Sequence, residues 1–152
     1  MVSEQFNMST LRAIPIFSPL SPEDLDALRP AVQVVAVEGG EVVVREGDSA
    51  DRLYCLVEGE VQVVKNYLES GAQTVDILSP GDYFGEMALV GDDIKRSATV
   101  VTTEASKFLA MDKDAFSAVL LGNAKIAYAV LVEAFRRLRQ ANDIIATLEE
   151  SR

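Results

Sequence analysis

Leu53-Tyr54-Cys55-Leu56-Val57, then Glu58-Gly59-Glu60, then Val61-Gln62-Val63-Val64-Lys65: two apolar runs, rich in branched and aromatic side chains, stand either side of a Glu-Gly step. Short runs of this kind bounded by glycine read as strands. Branched side chains fit a pleated surface and lose rotamer freedom in a helix. The same pattern continues outward in both directions. Val32–Val37, Glu41–Arg45, Thr74–Leu78, Ala98–Thr102 and Lys107–Met111 are further strand candidates, and Gly39-Gly40, Gly47-Asp48, Ser70-Gly71 and Pro80-Gly81-Asp82 supply turns between segments. Strands this short and this closely punctuated predict an antiparallel sandwich or small barrel over residues 31–111.

The flanks carry a different period. Near the N-terminus, Ser21-Pro22-Glu23-Asp24 reads as a helix start, with serine as N-cap, proline in the first turn and acids against the positive end of the dipole. That helix has to stop before Pro30. Beyond Asp112, a short helix is predicted over Lys113–Leu121, and Asn123 is placed to cap a long one over Ala124–Glu150. In the long helix Leu131, Ala134, Leu138, Ala141, Ile145 and Leu148 recur at 3-4-3-4-3 spacing, a heptad seam suited to a second copy of the chain. Val130, Phe135 and Ile144 lie off the seam. The alternative is one amphipathic helix lying on the sheet. The fold class is therefore mainly β with flanking helices.

Composition narrows the chemistry. A chain of 152 residues is one domain with room for a proper core. No apolar run approaches a membrane span and the N-terminus lacks a secretory signal, so no membrane association and a cytoplasmic location are expected. The single cysteine, Cys55, alternates with apolar neighbours and reads as a core thiol. Histidine is absent, which removes the commonest metal ligand and the commonest general base; neither a metal centre nor a catalytic residue is expected. The net charge of −10, from 14 Lys and Arg against 24 Asp and Glu, opposes attraction to a nucleic-acid backbone.

One stretch carries chemistry. Phe84-Gly85-Glu86-Met87-Ala88-Leu89-Val90 is followed by Arg96-Ser97-Ala98-Thr99-Val100, setting a carboxylate and a guanidinium ten residues apart within apolar runs. Ionised groups in such surroundings need partners, because desolvation costs several kcal/mol each. A ligand with a sugar hydroxyl for Glu86 and a phosphate for Arg96 satisfies both, and a 3′,5′-cyclic nucleotide is such a ligand. Its phosphate bears one charge on two exocyclic oxygens, which a guanidinium fork matches better than an ammonium does. Gly85 allows close backbone approach, Glu86–Leu89 can form a helical turn with N–H groups toward the anion, and Ser97 and Ala98 can add a hydroxyl and an N–H. The competing reading is an ion pair between Glu86 and Arg96 that holds a loop. Asp92-Asp93 reads as a solvated loop.

These two segments resemble the phosphate-binding cassette of the cyclic-nucleotide-binding domain family, which includes catabolite-activator-like regulators and the regulatory domains of cyclic-nucleotide-dependent kinases and channels. Ile14–Phe17 with Leu20–Leu25 resembles the family's N-terminal helical motif, and Gly40-Glu41-Val42, Arg45–Asp48 and Leu56–Val61 resemble its roll turns. The resemblance implies an antiparallel β-roll of the double-stranded β-helix or jelly-roll type. It divides the chain into a helical motif at 9–30, a roll at 31–111 containing the cassette at 84–100, and C-terminal helices at 113–150. It further implies that Glu86 accepts the ribose 2′-OH, that Arg96 binds the cyclic phosphate, and that Gly85, Met87, Ala88, Ser97, Ala98 and Val63 line the pocket. Arg137 and Asn142 fall where the family's long helix reaches over the base, Arg137 as a brace for Glu86. Tyr128 is expected to pack on the roll, with stacking on a base as the alternative.

The expected function is a non-enzymatic sensor that binds a cyclic nucleotide, cAMP rather than cGMP, and passes occupancy through its long helix to an effector protein or to the other half of a homodimer. Transcription factors of this family carry a winged helix-turn-helix after the long helix, and the sequence stops at Arg152, so no direct nucleic-acid binding is expected unless the chain is a piece of a larger regulator. The alternatives are a ligand-independent dimeric scaffold with a degenerate pocket and a small cupin-like enzyme, the latter disfavoured by the missing histidines.

Overall fold

The structure, a computed structural model, describes residues 8–18, 20–85 and 94–150. Helix α1 (Met8–Arg12), a 3-10 turn at Pro15–Phe17, α2 (Pro22–Leu28) and a second 3-10 turn at Arg29–Ala31 lead into the strands. These are β1 (Val32–Val37), β2 (Val42–Val44), β3 (Arg52–Glu58), β4 (Val61–Lys65), β5 (Gln73–Leu78), β6 (Tyr83–Phe84), β7 (Thr99–Thr102) and β8 (Ser106–Asp112). Two helices follow, α3 (Lys113–Gly122) and α4 (Ala124–Glu150). The strands form two four-stranded antiparallel sheets, ordered β1-β8-β3-β6 and β2-β7-β4-β5.

Consecutive strands β3 and β4 lie in different sheets, so Glu58-Gly59-Glu60 turns a corner between layers. Gly59 sits at φ +98°, and a Cβ there would press into the Ser106 side chain and come within 2.7 Å of the Ala105 carbonyl oxygen. Both the backbone sign and the space demand glycine. The continuous apolar run of β3 also has its explanation here. Leu53 and Cys55 face a cluster shared with the helices, while Tyr54 and Leu56 face a second cluster between the sheets. A strand covered on both sides has no polar face to alternate with. Cys55 is a buried free thiol, as its pattern predicts.

The first cluster unites the N-terminal motif with the C-terminal helices: Leu11, Phe17, Leu25, Phe116 and Ile126 are all buried in it, and Phe17 meets Phe116 edge to face at 6.4 Å. In the second, Tyr54 stacks on Phe84 at 5.0 Å, and Phe108 stands edge-on to both. Strand β6 is absent from the pattern read off the sequence. Two residues have no periodicity, and only their pairing of Phe84 with Tyr54 and Tyr83 with Cys55 makes them a strand.

Helix starts follow local chemistry. Ser21 and Asp24 form a reciprocal capping box on α2, Asp112 accepts from the Ala115 N–H at 2.8 Å, and Asn123 Oδ1 accepts from the N–H groups of Lys125 and Ile126. Asn123 also donates to Asp24 Oδ2 at 3.2 Å, tying the bend between α3 and α4 to α2. Helix α4 buries Ile126 and half-buries Val130, but from Leu131 onward its apolar residues are exposed. It packs chiefly on the 3-10 turn at Pro15–Phe17 and on α3. Tyr128, expected to pack on the roll, is instead 70 % exposed, because α4 turns that face away from the core. No single described helix is long and apolar enough to cross a membrane.

Candidate functional site

A cavity of about 380 Å³ opens on the inner face of the β2-β7-β4-β5 sheet. Its floor is apolar, with Val44 from β2, Val63 from β4, Leu78 from β5 and Val100 from β7. Tyr83, Phe84 and Gly85 form one wall, and the segment from Ile94 to Ala98 forms the other. That second wall is fixed by its backbone. Arg96 N–H donates to the Asp48 carbonyl at 2.7 Å, Gly47 N–H to the Arg96 carbonyl at 2.9 Å, and Ala50 N–H to the Ile94 carbonyl at 2.9 Å. The segment is therefore held in place before β7 begins.

Arg96 is the centre of the site. Its side chain is only 6 % exposed, although it is a cation. One terminal nitrogen, Nη2, donates to the Arg52 carbonyl at 3.1 Å and lies 3.6 Å from Asp51 Oδ1. Asp51 is 79 % exposed, so its attraction is screened by water and weak beside the desolvation of the guanidinium. The guanidinium carbon also lies 5.8 Å from the centre of the Tyr54 ring, which Phe84 backs. These contacts set the plane of the fork. Gly85, at φ +93°, makes the arrangement possible: a Cβ there would run into the Arg52 carbonyl and come within 2.6 Å of Arg96 Nη1.

Of the residues singled out in the sequence, Gly85, Arg96, Ser97, Ala98 and Val63 all line this one cavity. They come from three separate stretches of the chain. Glu86, Met87 and Ala88 lie outside the described residues, as do the helical turn expected at 86–89 and the Asp92-Asp93 loop. Arg137 lies in α4. Asn142 is exposed on the distal part of α4 and is not among the residues lining the cavity. Sequence reading passed over Asp51, Arg52 and Tyr54, which position Arg96. Two of these act through a backbone carbonyl or an aromatic ring of a kind common in strands, so no signal marks them. Asp76 and Lys95, which also line the cavity, were passed over too. No group of three or more Asp, Glu, Cys or His residues suited to a metal ion occurs among the described residues.

An apolar floor, a buried cation and small residues around it suit a flat, partly apolar anion. Residues 34–123 match the family described as the cyclic nucleotide-binding domain. The chain belongs to that family. It is 39 % identical over 116 residues to the cAMP-dependent protein kinase regulatory subunit of Schizosaccharomyces pombe, covering 76 % of this chain and 27 % of that protein. It is 30 % identical over 132 residues to the cyclic AMP receptor protein of Thermus thermophilus, covering 87 % of this chain and 61 % of the relative. The crystal structure of the Thermus thermophilus catabolite activator protein superposes with a TM-score of 0.78 at 30 % identity, over 89 % of this chain and 63 % of that one. The chain thus spans less than two thirds of these curated relatives' own length, 27 % of one and 61 % of the other. The likeness confirms the β-roll with its flanking helices and long C-terminal helix, and makes this a cyclic-nucleotide-binding regulatory domain.

Proposed function

We propose that the cavity binds a 3′,5′-cyclic nucleotide, cAMP in preference to cGMP, and that the protein is a non-enzymatic cytoplasmic sensor. The observation that carries this reading is the near-complete burial of Arg96 at the wall of a cavity floored by four aliphatic side chains. Arg96 takes the cyclic phosphate, Glu86 the 2′-OH, and Gly85, Met87, Ala88, Ser97 and Ala98 surround the phosphoribose, with Val63 under the base. The preference for cAMP draws support from the relatives named for cAMP dependence and reception. Arg137 and Asn142 belong to the reading only through the long helix, as contacts made when that helix closes over the site or when a second copy supplies it.

Occupancy passes through α4. A ligand shifts an equilibrium between helix positions by its difference in affinity for the two, and α4 leaves the core beyond Val130, after the Asn123 bend. The exposed stripe at Leu131, Leu138, Ile145 and Leu148 supports a homodimer through α4, with an effector protein as the other possible reader. The scaffold alternative shares the dimer and lacks the ligand.

Calorimetric titration with cAMP and cGMP tests the reading. Micromolar or tighter heat-producing binding is expected, with a raised melting temperature, since a ligand of the native state must stabilise it. Arg96→Ala should cost ~2–5 kcal/mol of binding, or ~30-fold to several thousand-fold in affinity. A loss under about threefold would remove Arg96 from the site, and silence with both nucleotides at millimolar concentration would leave the scaffold.

A further inference from the structure

Strand β5 brings an acid to the rim of the cavity. Along Thr74-Val75-Asp76-Ile77-Leu78, Val75, Asp76 and Leu78 line the cavity; Leu78 is buried, Asp76 is exposed, and Val75 and Ile77 are 50 % and 52 % exposed. Val61 pairs with Leu78 and Val63 with Asp76, so Asp76 stands on the face that carries Leu78 and Val63, and the register shifts just beyond it, between Val63 and Val64. Asp76 is the one carboxylate among the described residues lining the cavity, whose cations are Arg96 and Lys95. Its Oδ1 accepts the Ile77 N–H at 2.9 Å, which sets the plane of the group.

A carboxylate in a cavity meant for an anion weakens binding by repulsion unless the same ligand brings it a hydrogen-bond donor. A cyclic nucleotide has two kinds of donor. The 2′-OH goes to Glu86 in the reading above, on which this inference rests. The other is an N–H of the base: the exocyclic amino group of adenine and guanine, or the ring N1–H of guanine and hypoxanthine. We propose that Asp76 is a specificity-determining residue that accepts a hydrogen bond from the exocyclic amino group of the bound base. An oxo-substituted edge brought to the same point sets acceptor against acceptor and is rejected. Because β5 is the outer strand of its sheet, a charge on it also deters strand-to-strand aggregation, but that role is blind to the base.

The test titrates the protein, Asp76→Ala and Asp76→Asn with cAMP, cGMP and cIMP, whose purines carry an amino group at C6, at C2 and at neither. The wild type should bind the better of the two amino nucleotides ~10-fold or more tightly than cIMP, the scale of one hydrogen bond to a charged group. In Asp76→Ala that ligand should weaken ~10-fold while cIMP holds or gains, and Asp76→Asn, which keeps an oxygen for the Ile77 N–H, should fall between. Such a crossing is not produced by general damage, and an unchanged melting temperature checks the fold of each variant. Equal affinity for all three nucleotides in the wild type, or the same order of affinities in all three proteins, overturns the assignment of Asp76 and leaves nucleotide binding standing. Failure of every nucleotide to bind the wild type overturns both.

Discussion

Ile126 and Leu138 stand twelve residues apart on one helix, with side chains of equal size, yet the first is 0 % exposed and the second 56 %. Neither helix propensity nor apolar spacing separates the two halves of α4. What separates them is what lies opposite. Ile126 enters the cluster built by Phe17, Leu25 and Phe116, whereas the large apolar residues from Leu131 on are exposed. The same kind of side chain is therefore fold-making in one half and left at the surface in the other.

The comparison can be broken by mutation. Ile126→Ala should destabilise the protein by ~2–5 kcal/mol, the range for truncating a buried aliphatic group that leaves a cavity, read as a lowered denaturant midpoint. A loss below about 1 kcal/mol would mean that the first half of α4 is no more part of the core than the second. Asn123→Ala should cost about 1 kcal/mol, because it removes the acceptor for the Lys125 and Ile126 N–H groups and the bond to Asp24. A cost near zero would show that packing alone positions the bend. Leu138→Glu should leave the stability of the protomer within about 0.5 kcal/mol and convert dimers to monomers in light scattering. An unchanged mass would count against the seam, and a collapse in protomer stability would erase the contrast between the halves.

Much of the fold was legible because local chemistry and tertiary demand agree. Val32–Val37 and Val61–Lys65 are strands with the predicted bounds, α4 runs over Ala124–Glu150 as predicted, and Ser21 caps α2 as predicted. What was not legible rests on partners distant in sequence. Tyr83-Phe84 is a strand only by virtue of Tyr54 and Cys55. Tyr128 was misplaced because a helical pattern tells which residues share a face, not which face is turned inward. In the site, glycine, arginine and small residues declared themselves by type and spacing. Asp51 and the Arg52 carbonyl did not, since a backbone acceptor bears no residue signature.

From the chain alone came the succession of strands and helices, the turns at glycine, the absence of histidine chemistry and the identity of the cation, because these follow from side-chain shape, backbone freedom and charge within a few residues. The tertiary structure alone decided that residues 47–52 hold the Arg96 segment and its guanidinium, that Asp76 faces the same cavity from another strand, and that α4 leaves the core after its first turns. Those outcomes depend on sheet register and on the distance between segments remote in sequence, which no local preference encodes.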